Sequence, residues 1–328
     1  MEIDRDLIRQ AAGKLSSAGI ESADHDAAVL LEYSSTTAQF NDLIAQRAKR
    51  IPLQHLTGCA HFRYITLAVG SGVFIPRPET ELLAQVGIDV LQEKVALQVQ
   101  NPPQLSAEDS EKLLAKLDVV SEPHLNGDET LRQKPIAFDL CSGSGAIALS
   151  LATEVSHVTV HAVEISSEAT EWLLTNVSRH SDELDAKNSR VTVHTLDATD
   201  EALFLQWSAC ADVVISNPPY IPNHMIPRDP EVRDYDPHLA LFGGVDGLNI
   251  PLRVARVAAL LLKDGGTFAM EHADVQGEHE SGLPNALRQM KDVSGDPLWL
   301  DVNDHTDYNG LPRFTTALRA PRQSEVQG

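Results

Sequence analysis

Strand-like and helix-like segments alternate through much of this chain, and that alternation constrains its fold more than any other feature. In chain order the segments read "PIAFDL", "GAIALSLATEV", "HVTVHAVEI", "SSEATEWLLTNVSRH", "RVTVHTLDA" and "ADVVIS". Repeated β-α units of this kind predict a parallel, doubly wound sheet. Two later strand-like runs, "PLWLDVN" and "RFTTALRA", lie close together with little room for a helix. An antiparallel edge on the sheet is therefore predicted.

Sequence patterns divide the chain into three predicted parts. Residues 1–58 carry apolar residues at helical spacing and predict a small helical domain. Residues 59–76 have β-rich runs on either side of Gly70-Ser71-Gly72, which predicts a β-hairpin linker turning at these glycines. Residues 77–328 hold the α/β domain. Within it, residues 92–135 are rich in proline, polar and acidic residues, which predicts a flexible insertion outside the core.

Composition and charge disfavour several classes of protein. The 328 residues include no run of about 18 apolar residues, and the charged start has no apolar signal region, so a cytoplasmic protein without a membrane span is expected. The net charge of −21 argues against direct binding of nucleic acid, because phosphate neutralisation needs clustered Lys and Arg. Cys59, Cys141 and Cys210 lie far apart and the 13 histidines are scattered, so no metal site is predicted.

A glycine turn joins the first strand of the α/β part to its helix. Residues 143–148 read Gly-Ser-Gly-Ala-Ile-Ala, a G-x-G-x-x-A match in the context that nucleotide-binding turns require. Glu164 ends the second strand about 20 residues further on, where an acid accepts hydrogen bonds from ribose hydroxyls. Asp139 and Asp197 end the first and third strands, so three carboxylates gather at one sheet edge. This negative charge repels a pyrophosphate and attracts the cationic groups of S-adenosylmethionine, which is therefore favoured over NAD.

The fourth strand runs directly into Asn217-Pro218-Pro219-Tyr220, where two prolines remove backbone donors. An amide or aryl-amine nitrogen has its lone pair delocalised and is a poor nucleophile until it is positioned. If the Asn217 side-chain oxygen and the Pro218 carbonyl each accept one N–H, the NH2 group is held and aimed at a methyl donor. Tyr220 can stack on the planar substrate group. These residues predict methyl transfer to such a nitrogen without a strong general base.

Several stretches together resemble one family, the peptide chain release factor N5-glutamine methyltransferases (PrmC/HemK family), over nearly the whole chain. They are "PLQHLTG" (52–58), "FIPRPETELL" (74–83), "DLCSGSGAIALSLA" (139–152), "ISNPPYIP" (215–222), "HLALFGGVDGLNI" (238–250), "MEHADVQGE" (270–278) and "GLPRFTTA" (310–317). The NPPY tetrapeptide is shared with N6-adenine methyltransferases, whereas the "PRPETE" and "ALFGGVDGL" blocks are far more specific.

The resemblance implies an activity and a set of site residues. It implies a helical domain that helps bind class I peptide chain release factors, a hairpin linker, and a Rossmann-like class I methyltransferase domain that methylates the glutamine of the factor's GGQ loop. The implied cofactor-binding residues are Asp139, Leu140, Cys141, Ser142, Gly143, Gly145, Glu164, Asp197, Ala198 and Asn217. The implied substrate-binding residues are Asn217 and Pro218, which are also catalytic, with Pro219, Tyr220, Arg77 and Glu79. For Arg77 and Glu79, a structural salt bridge is an equal alternative.

The chain departs from the family pattern in three places, and two other functions stay open. The turn "CSGSG" differs from the commoner Gly-Thr-Gly, Glu164 stands where Asp is also common, and the insertion is long. One alternative is an N6-adenine methyltransferase acting on nucleic acid, which the acidic composition disfavours. The other is a non-catalytic protein that grips a release factor, against which Asn217, Glu164 and the glycine turn argue.

Overall fold

The helical N-terminal part precedes a hairpin and an α/β domain, as the sequence predicts. The computed structural model describes residues 5–100 and 134–322. The first helices are α1 (Arg5–Ser17), α2 (Ala23–Glu32), α3 (Thr37–Arg47) and α4 (Leu53–Thr57). Helix α3 begins where the Thr36 side chain accepts the Gln39 N–H, and α4 ends at Gly58, whose φ of 71° is left-handed. Their apolar faces meet in a core that includes Leu15, Leu30 and Phe40.

The hairpin turns at a different place from the one predicted. Strands β1 (Cys59–Phe62) and β2 (Ile65–Ala68) pair antiparallel with the hairpin turn at residues 63–64, so the prediction of a hairpin turn at Gly70-Ser71-Gly72 is wrong, and a separate turn at residues 71–72 follows β2. A Cβ on Gly70 would lie 2.6 Å from the ring of Trp172. These glycines therefore allow close packing. Arg63 takes the positive φ of 50° at the turn, where its guanidinium binds Glu154 at 2.6 Å.

The next helix corrects the predicted start of the insertion. Helix α5 (Thr80–Gln100) continues nine residues beyond residue 91, so residues 92–100 belong to regular structure. Leu83, Ile88 and Leu91 are buried along it, and this apolar face holds the helix against the sheet. Residues 101–133, which make up most of the predicted insertion, lie outside the described residues.

The α/β domain has the mostly parallel sheet with an antiparallel edge that the sequence predicts. Its strands are β3 (Ile136–Leu140), β4 (Thr159–Glu164), β5 (Arg190–Thr195), β6 (Ala211–Ser216), β7 (Ile221–Pro222), β8 (Phe242–Gly244), β9 (Leu262–Glu271), β10 (Trp299–Thr306) and β11 (Pro312–Arg319). Seven of them form one sheet in the order β10-β11-β9-β6-β3-β4-β5, while β7 and β8 pair separately. Only the pairs of β11 with β9 and with β10 in this sheet are antiparallel.

Helices cover both faces of the sheet and bury its side chains in two cores. They are α6 (Ala146–Glu154), α7 (Ser167–Arg179), α8 (Ser181–Ala186), α9 (Pro230–Tyr235), α10 (His238–Leu241), α11 (Asn249–Leu261) and α12 (Leu283–Gln289), with 3₁₀ turns at Glu201–Trp207 and Asp274–Gln276. Alternate residues of β3 enter different cores: Ala137 packs in one and Phe138 in the other. Phe62 and Leu67 of the hairpin join the Ala137 core, so the hairpin is packed into the α/β domain.

The strand order positions the ligand site. The chain passes from β3 to β4 and β5 on one side, then returns to β6 on the other side of β3. Open α/β sheets bind ligands outside the carboxyl ends of the strands at such a reversal. Leu140 at the end of β3 pairs with Ser216 at the end of β6. The glycine turn and the Asn217 corner therefore leave the sheet side by side.

Ion pairs tie the helical domain to the segment around α9. The buried Arg47 guanidinium binds Asp26 and Glu231, each at 2.7 Å, and Arg50 also pairs with Glu231. The Tyr235 hydroxyl donates to the Lys49 carbonyl at 2.9 Å. The charge on Glu231 has two guanidinium partners, so a segment of the α/β domain is held against the end of α3.

Candidate active site

A cavity of about 370 Å³ opens at the carboxyl ends of β3, β4 and β6. The structure brings most of the predicted site residues to its wall. Those that line it are Arg77, Cys141, Ser142, Gly143, Glu164, Asp197, Ala198, Asn217, Pro219 and Tyr220. The predicted cofactor and substrate residues therefore share one cavity.

Five predicted residues do not line this cavity, and their roles stay predictions: Glu79, Asp139, Leu140, Gly145 and Pro218. Asp139 and Leu140 are buried within β3 because their side chains enter the cores of the sheet. A Cβ on Gly145 would lie 2.5 Å from Leu173, so this glycine packs against α7. The Pro218 side chain is buried, and its predicted role rests on its backbone carbonyl.

Left-handed backbone shapes the turn between β3 and α6. Cys141, Gly143 and Gly145 have φ values of 65°, 54° and 88°. A Cβ on Gly143 would meet no atom within 4 Å, so the turn presents bare backbone to open space. Burial raises the pKa of the Cys141 thiol, which disfavours its thiolate form.

Glu164 is held by the turn it faces. Its carboxylate accepts the Gly143 N–H at 2.8 Å on one oxygen and the Ser166 N–H at 2.9 Å on the other. Burial raises the pKa of this carboxyl, and the N–H bonds oppose that rise. Each carboxylate oxygen has a further acceptor position, so Glu164 can still receive hydroxyl groups from the cavity.

Asp197 forms a turn of its own beside the cavity. One of its carboxylate oxygens accepts both the backbone N–H and the hydroxyl of Thr199, at 2.8 and 2.7 Å. This fixes the chain after β5 and sets Ala198 at the wall. The bonds to Thr199 occupy one oxygen of the carboxylate.

The side chain of Asn217 is oriented by a residue that the sequence patterns did not single out. Its Nδ2 donates to the Thr80 Oγ1 at 3.3 Å. The amide oxygen is thereby left as an acceptor. Tyr220 also lines the cavity, and its hydroxyl donates to Glu271 at 3.1 Å. Burial raises the pKa of this hydroxyl, so it remains a donor.

Arg77 braces the wall through an ion pair, which was one of the two predicted possibilities. Its guanidinium binds Asp236 at 2.7 Å and lies 5.0 Å from the ring centre of Phe74. Burial raises the pKa of Asp236 to about 6, against the opposing charge of Arg77. Arg77 thus joins the start of the α/β domain to the segment after α9.

Three site residues were missed by the sequence reasoning: Thr80, Asp236 and Glu271. Thr80 and Glu271 lie within the stretches "FIPRPETELL" and "MEHADVQGE", which carry the family resemblance. The resemblance therefore pointed to both stretches but gave neither residue a role. Asp236 stands next to "PHLALFGG", outside the quoted stretches. A contact between side chains about 150 residues apart is invisible in local patterns, since it depends on how strands and helices meet.

Comparison with known proteins decides the family. The methyltransferase small domain family model matches residues 115–227. A release factor glutamine methyltransferase from Bifidobacterium longum is 39% identical over 295 residues, covering 83% of this chain and 88% of the relative. Relatives of the same name from Streptomyces coelicolor and Mycolicibacterium smegmatis are 36% and 35% identical, cover 95% and 97% of this chain, and are themselves covered to 97% and 98%. The chain belongs to the release factor glutamine methyltransferases.

Membership of this family confirms the predicted resemblance and makes the protein an S-adenosylmethionine-dependent enzyme. Across residues 5–100 and 134–322, no helix is both long and apolar enough to cross a membrane. In the same part of the chain, no group of three or more His, Cys, Asp and Glu side chains could hold a metal ion.

The cavity of this methyltransferase fits S-adenosylmethionine on two structural observations. The open space beside Gly143 leaves room for a ligand against bare backbone. Glu164, only 8% exposed, offers carboxylate oxygens on the same wall, and Asp197 adds negative charge nearby. An acidic wall suits the cationic amino and sulfonium groups of the cofactor. When bound, the cofactor supplies the methyl group.

Asp139 makes the stability of the methyltransferase depend on pH. Burial raises the pKa of this carboxyl from 3.8 to about 7, against the opposing Ala148 N–H bond. Because the folded-state value is the higher one, the stability contributed by the bound proton is complete below about pH 4 and is lost as pH rises through about 7.

We therefore expect the free energy of unfolding to fall between about pH 4 and about pH 7 more steeply in the wild type than in Asp139→Asn, by up to about 1.4 kcal/mol per pH unit, and the two slopes to converge above about pH 8. Urea denaturation at a series of pH values measures both slopes. Identical slopes in the two proteins would rule out Asp139 as the group responsible.

Proposed function

We propose that this enzyme transfers a methyl group from S-adenosylmethionine to the side-chain amide nitrogen of the glutamine in the GGQ loop of class I peptide chain release factors. The names of the relatives support a release factor as substrate. The observation that carries the proposal is the orientation of Asn217. Its NH2 group is engaged by Thr80, so a hydrogen-bond acceptor is available on a wall shared with Glu164.

The chain's residues act by positioning. A primary amide has two N–H groups, and the Asn217 Oδ1 and the Pro218 carbonyl accept one each, which orients the nitrogen towards the methyl donor. The adjacent proline ring of Pro219 stiffens the corner so that the carbonyl keeps its direction. Tyr220 contacts the planar amide of the substrate, and Arg77 supports the same wall. As the N–C bond forms, the methyl–sulfur bond of the cofactor breaks and its electron pair stays on sulfur, while the nitrogen becomes acidic and loses one proton to water. Positioning of the nitrogen therefore supplies the catalysis in this proposal, without a strong general base.

The contacts between the parts support the proposed domain roles. Residues 1–58 act as the release-factor-binding domain, residues 59–76 as the hairpin linker, and residues 77–328 as the methyltransferase domain. Arg47 and Arg50 bind Glu231 on α9, and the neighbouring Val232 lines the cavity. A protein held by the helical domain would therefore lie next to the cavity mouth. Since release factors act in translation, the proposal assigns the enzyme to the cytoplasm.

Transfer of tritium from labelled S-adenosylmethionine tests the proposal. Purified class I release factor is compared with the same factor carrying alanine in place of the GGQ glutamine, and with DNA and RNA. We expect label on the unaltered factor alone. Equal label on the alanine factor would contradict the choice of glutamine. Label on nucleic acid in place of the factor would favour the N6-adenine alternative.

A further inference from the structure

A buried carboxylate connects two of the cavity residues from behind. Glu271 at the end of β9 is 2% exposed, and it contributes no atom to the cavity wall. One of its oxygens accepts the Thr80 hydroxyl at 2.7 Å, and the other accepts the Tyr220 hydroxyl at 3.1 Å. Burial of a carboxylate costs free energy unless hydrogen bonds compensate. The hydrogen bonds from Thr80 and Tyr220 therefore stabilise Glu271 in its buried position.

The topology explains why these residues meet. Strands β6 and β9 pair in parallel, with Ser216 opposite Met270, so the next residues along each strand are Asn217 and Glu271. Thr80 begins α5, which packs against both strands from one face. The start of one helix and the ends of two strands therefore converge at one point.

The direction of these hydrogen bonds determines how the amide of Asn217 lies. A threonine hydroxyl has one hydrogen, and Thr80 donates it to Glu271. The Thr80 oxygen can then only accept, so Asn217 must turn its NH2 group towards it. The opposite end of the planar amide is Oδ1, which is left for another donor.

We propose that Glu271, acting through Thr80, is a positioning residue that sets the amide of Asn217 with its oxygen available to the substrate. The inference rests on the proposed function, in which that oxygen accepts an N–H of the substrate amide. An inverted Asn217 would present N–H groups to a substrate that also presents N–H groups. No hydrogen bond can form between two donors, so the nitrogen would lose its orientation.

Thr80→Val tests this arrangement, because valine keeps the shape of threonine and removes the hydroxyl. We expect kcat for release-factor methylation to fall about 10- to 100-fold, while the dissociation constant of S-adenosylmethionine changes little. Thr80→Ser, which retains a hydroxyl, should recover most of the lost rate. Rates are measured well below the unfolding temperature of each variant.

Thr315→Val provides a matched control on the neighbouring strand β11. Thr315 is fully buried and pairs with Met270, and its hydroxyl has no hydrogen-bond partner among the described residues. The same substitution there removes a buried hydroxyl outside the network, so kcat should stay at the wild-type value. Equal losses in Thr80→Val and Thr315→Val would show a general packing effect and overturn the inference.

Glu271→Gln tests the carboxylate itself. Whichever way the glutamine amide lies, its NH2 group faces either Thr80 or Tyr220, and that hydroxyl loses its acceptor. We expect a lower kcat with a smaller change in KM. Wild-type kcat in both Thr80→Val and Glu271→Gln would overturn the positioning role of Glu271. It would leave the proposed function standing, since the enzyme would still methylate the factor. Absence of transfer by the wild-type enzyme would instead overturn the proposed function together with it.

Discussion

Replacing Asn217 with alanine is expected to lower kcat for methyl transfer by about 100- to 1,000-fold, as removal of a preorganised hydrogen-bonding group in an enclosed site does. The alanine leaves one N–H of the substrate amide without its acceptor, so the nitrogen is no longer held towards the methyl donor. Binding of S-adenosylmethionine should change much less, because the glycine turn and Glu164 remain. Tritium transfer to release factor gives kcat, and calorimetry gives the cofactor dissociation constant.

Asn223→Ala is the control for this prediction. Asn223 follows the same corner of the chain but is exposed, and it contributes nothing to the wall of the main cavity. Its removal should leave kcat unchanged. A wild-type kcat in Asn217→Ala would refute the role assigned to that side chain, and with it the argument for an amide substrate drawn from this corner.

Replacing Glu164 with alanine should raise the dissociation constant of S-adenosylmethionine by about 100-fold or more, since hydrogen bonds to a charged group contribute about 1.5–3 kcal/mol each. Two effects combine in this variant. The ribose hydroxyls lose their acceptor, and the Gly143 and Ser166 N–H groups lose the carboxylate that holds the turn. Calorimetric titration of the cofactor measures the change.

Glu171→Ala serves as the comparison, because Glu171 is an exposed residue of α7, the helix that follows β4, and its substitution removes the same charge from the surface. The dissociation constant of S-adenosylmethionine for Glu171→Ala should equal that for the wild type. If Glu164→Ala also bound the cofactor with wild-type affinity while folded, the ribose assignment would be wrong.

Local sequence patterns predicted the fold class correctly, because the spacing of apolar residues along the chain reflects which side chains each strand or helix buries. Strand β6 is buried at every position, as a central parallel strand requires, and its apolar run Val213-Val214-Ile215 made it recognisable. The short connection before β11 likewise indicated the antiparallel edge. The glycine turn after β3 was predicted from its G-x-G-x-x-A pattern between a strand and a helix, and Gly143 and Gly145 adopt left-handed backbone there.

Local patterns failed where packing overrode them. Gly70 and Gly72 signalled the hairpin turn, but the hairpin turns at residues 63–64, and these two glycines make room for Trp172 and Glu168, which are about 100 residues away in the chain. The polar residues at 92–100 suggested an insertion, yet they extend α5, since one apolar face is sufficient to continue a helix. Both predictions failed because they used only the local structural preference of each residue type and no information on tertiary contacts.

The sequence by itself determined which groups could do the chemistry: a glycine turn, an acid after the second strand and an Asn-Pro-Pro-Tyr corner after the fourth, each specified by residues adjacent in the chain. Only the tertiary structure decided how these groups are aimed. The direction of the Asn217 amide depends on Thr80 and Glu271, which reach it from a helix and a strand far away in sequence. Hydrogen bonds act over about 3 Å of space whatever the separation along the chain, so the orientation of the site follows from the packing of the elements.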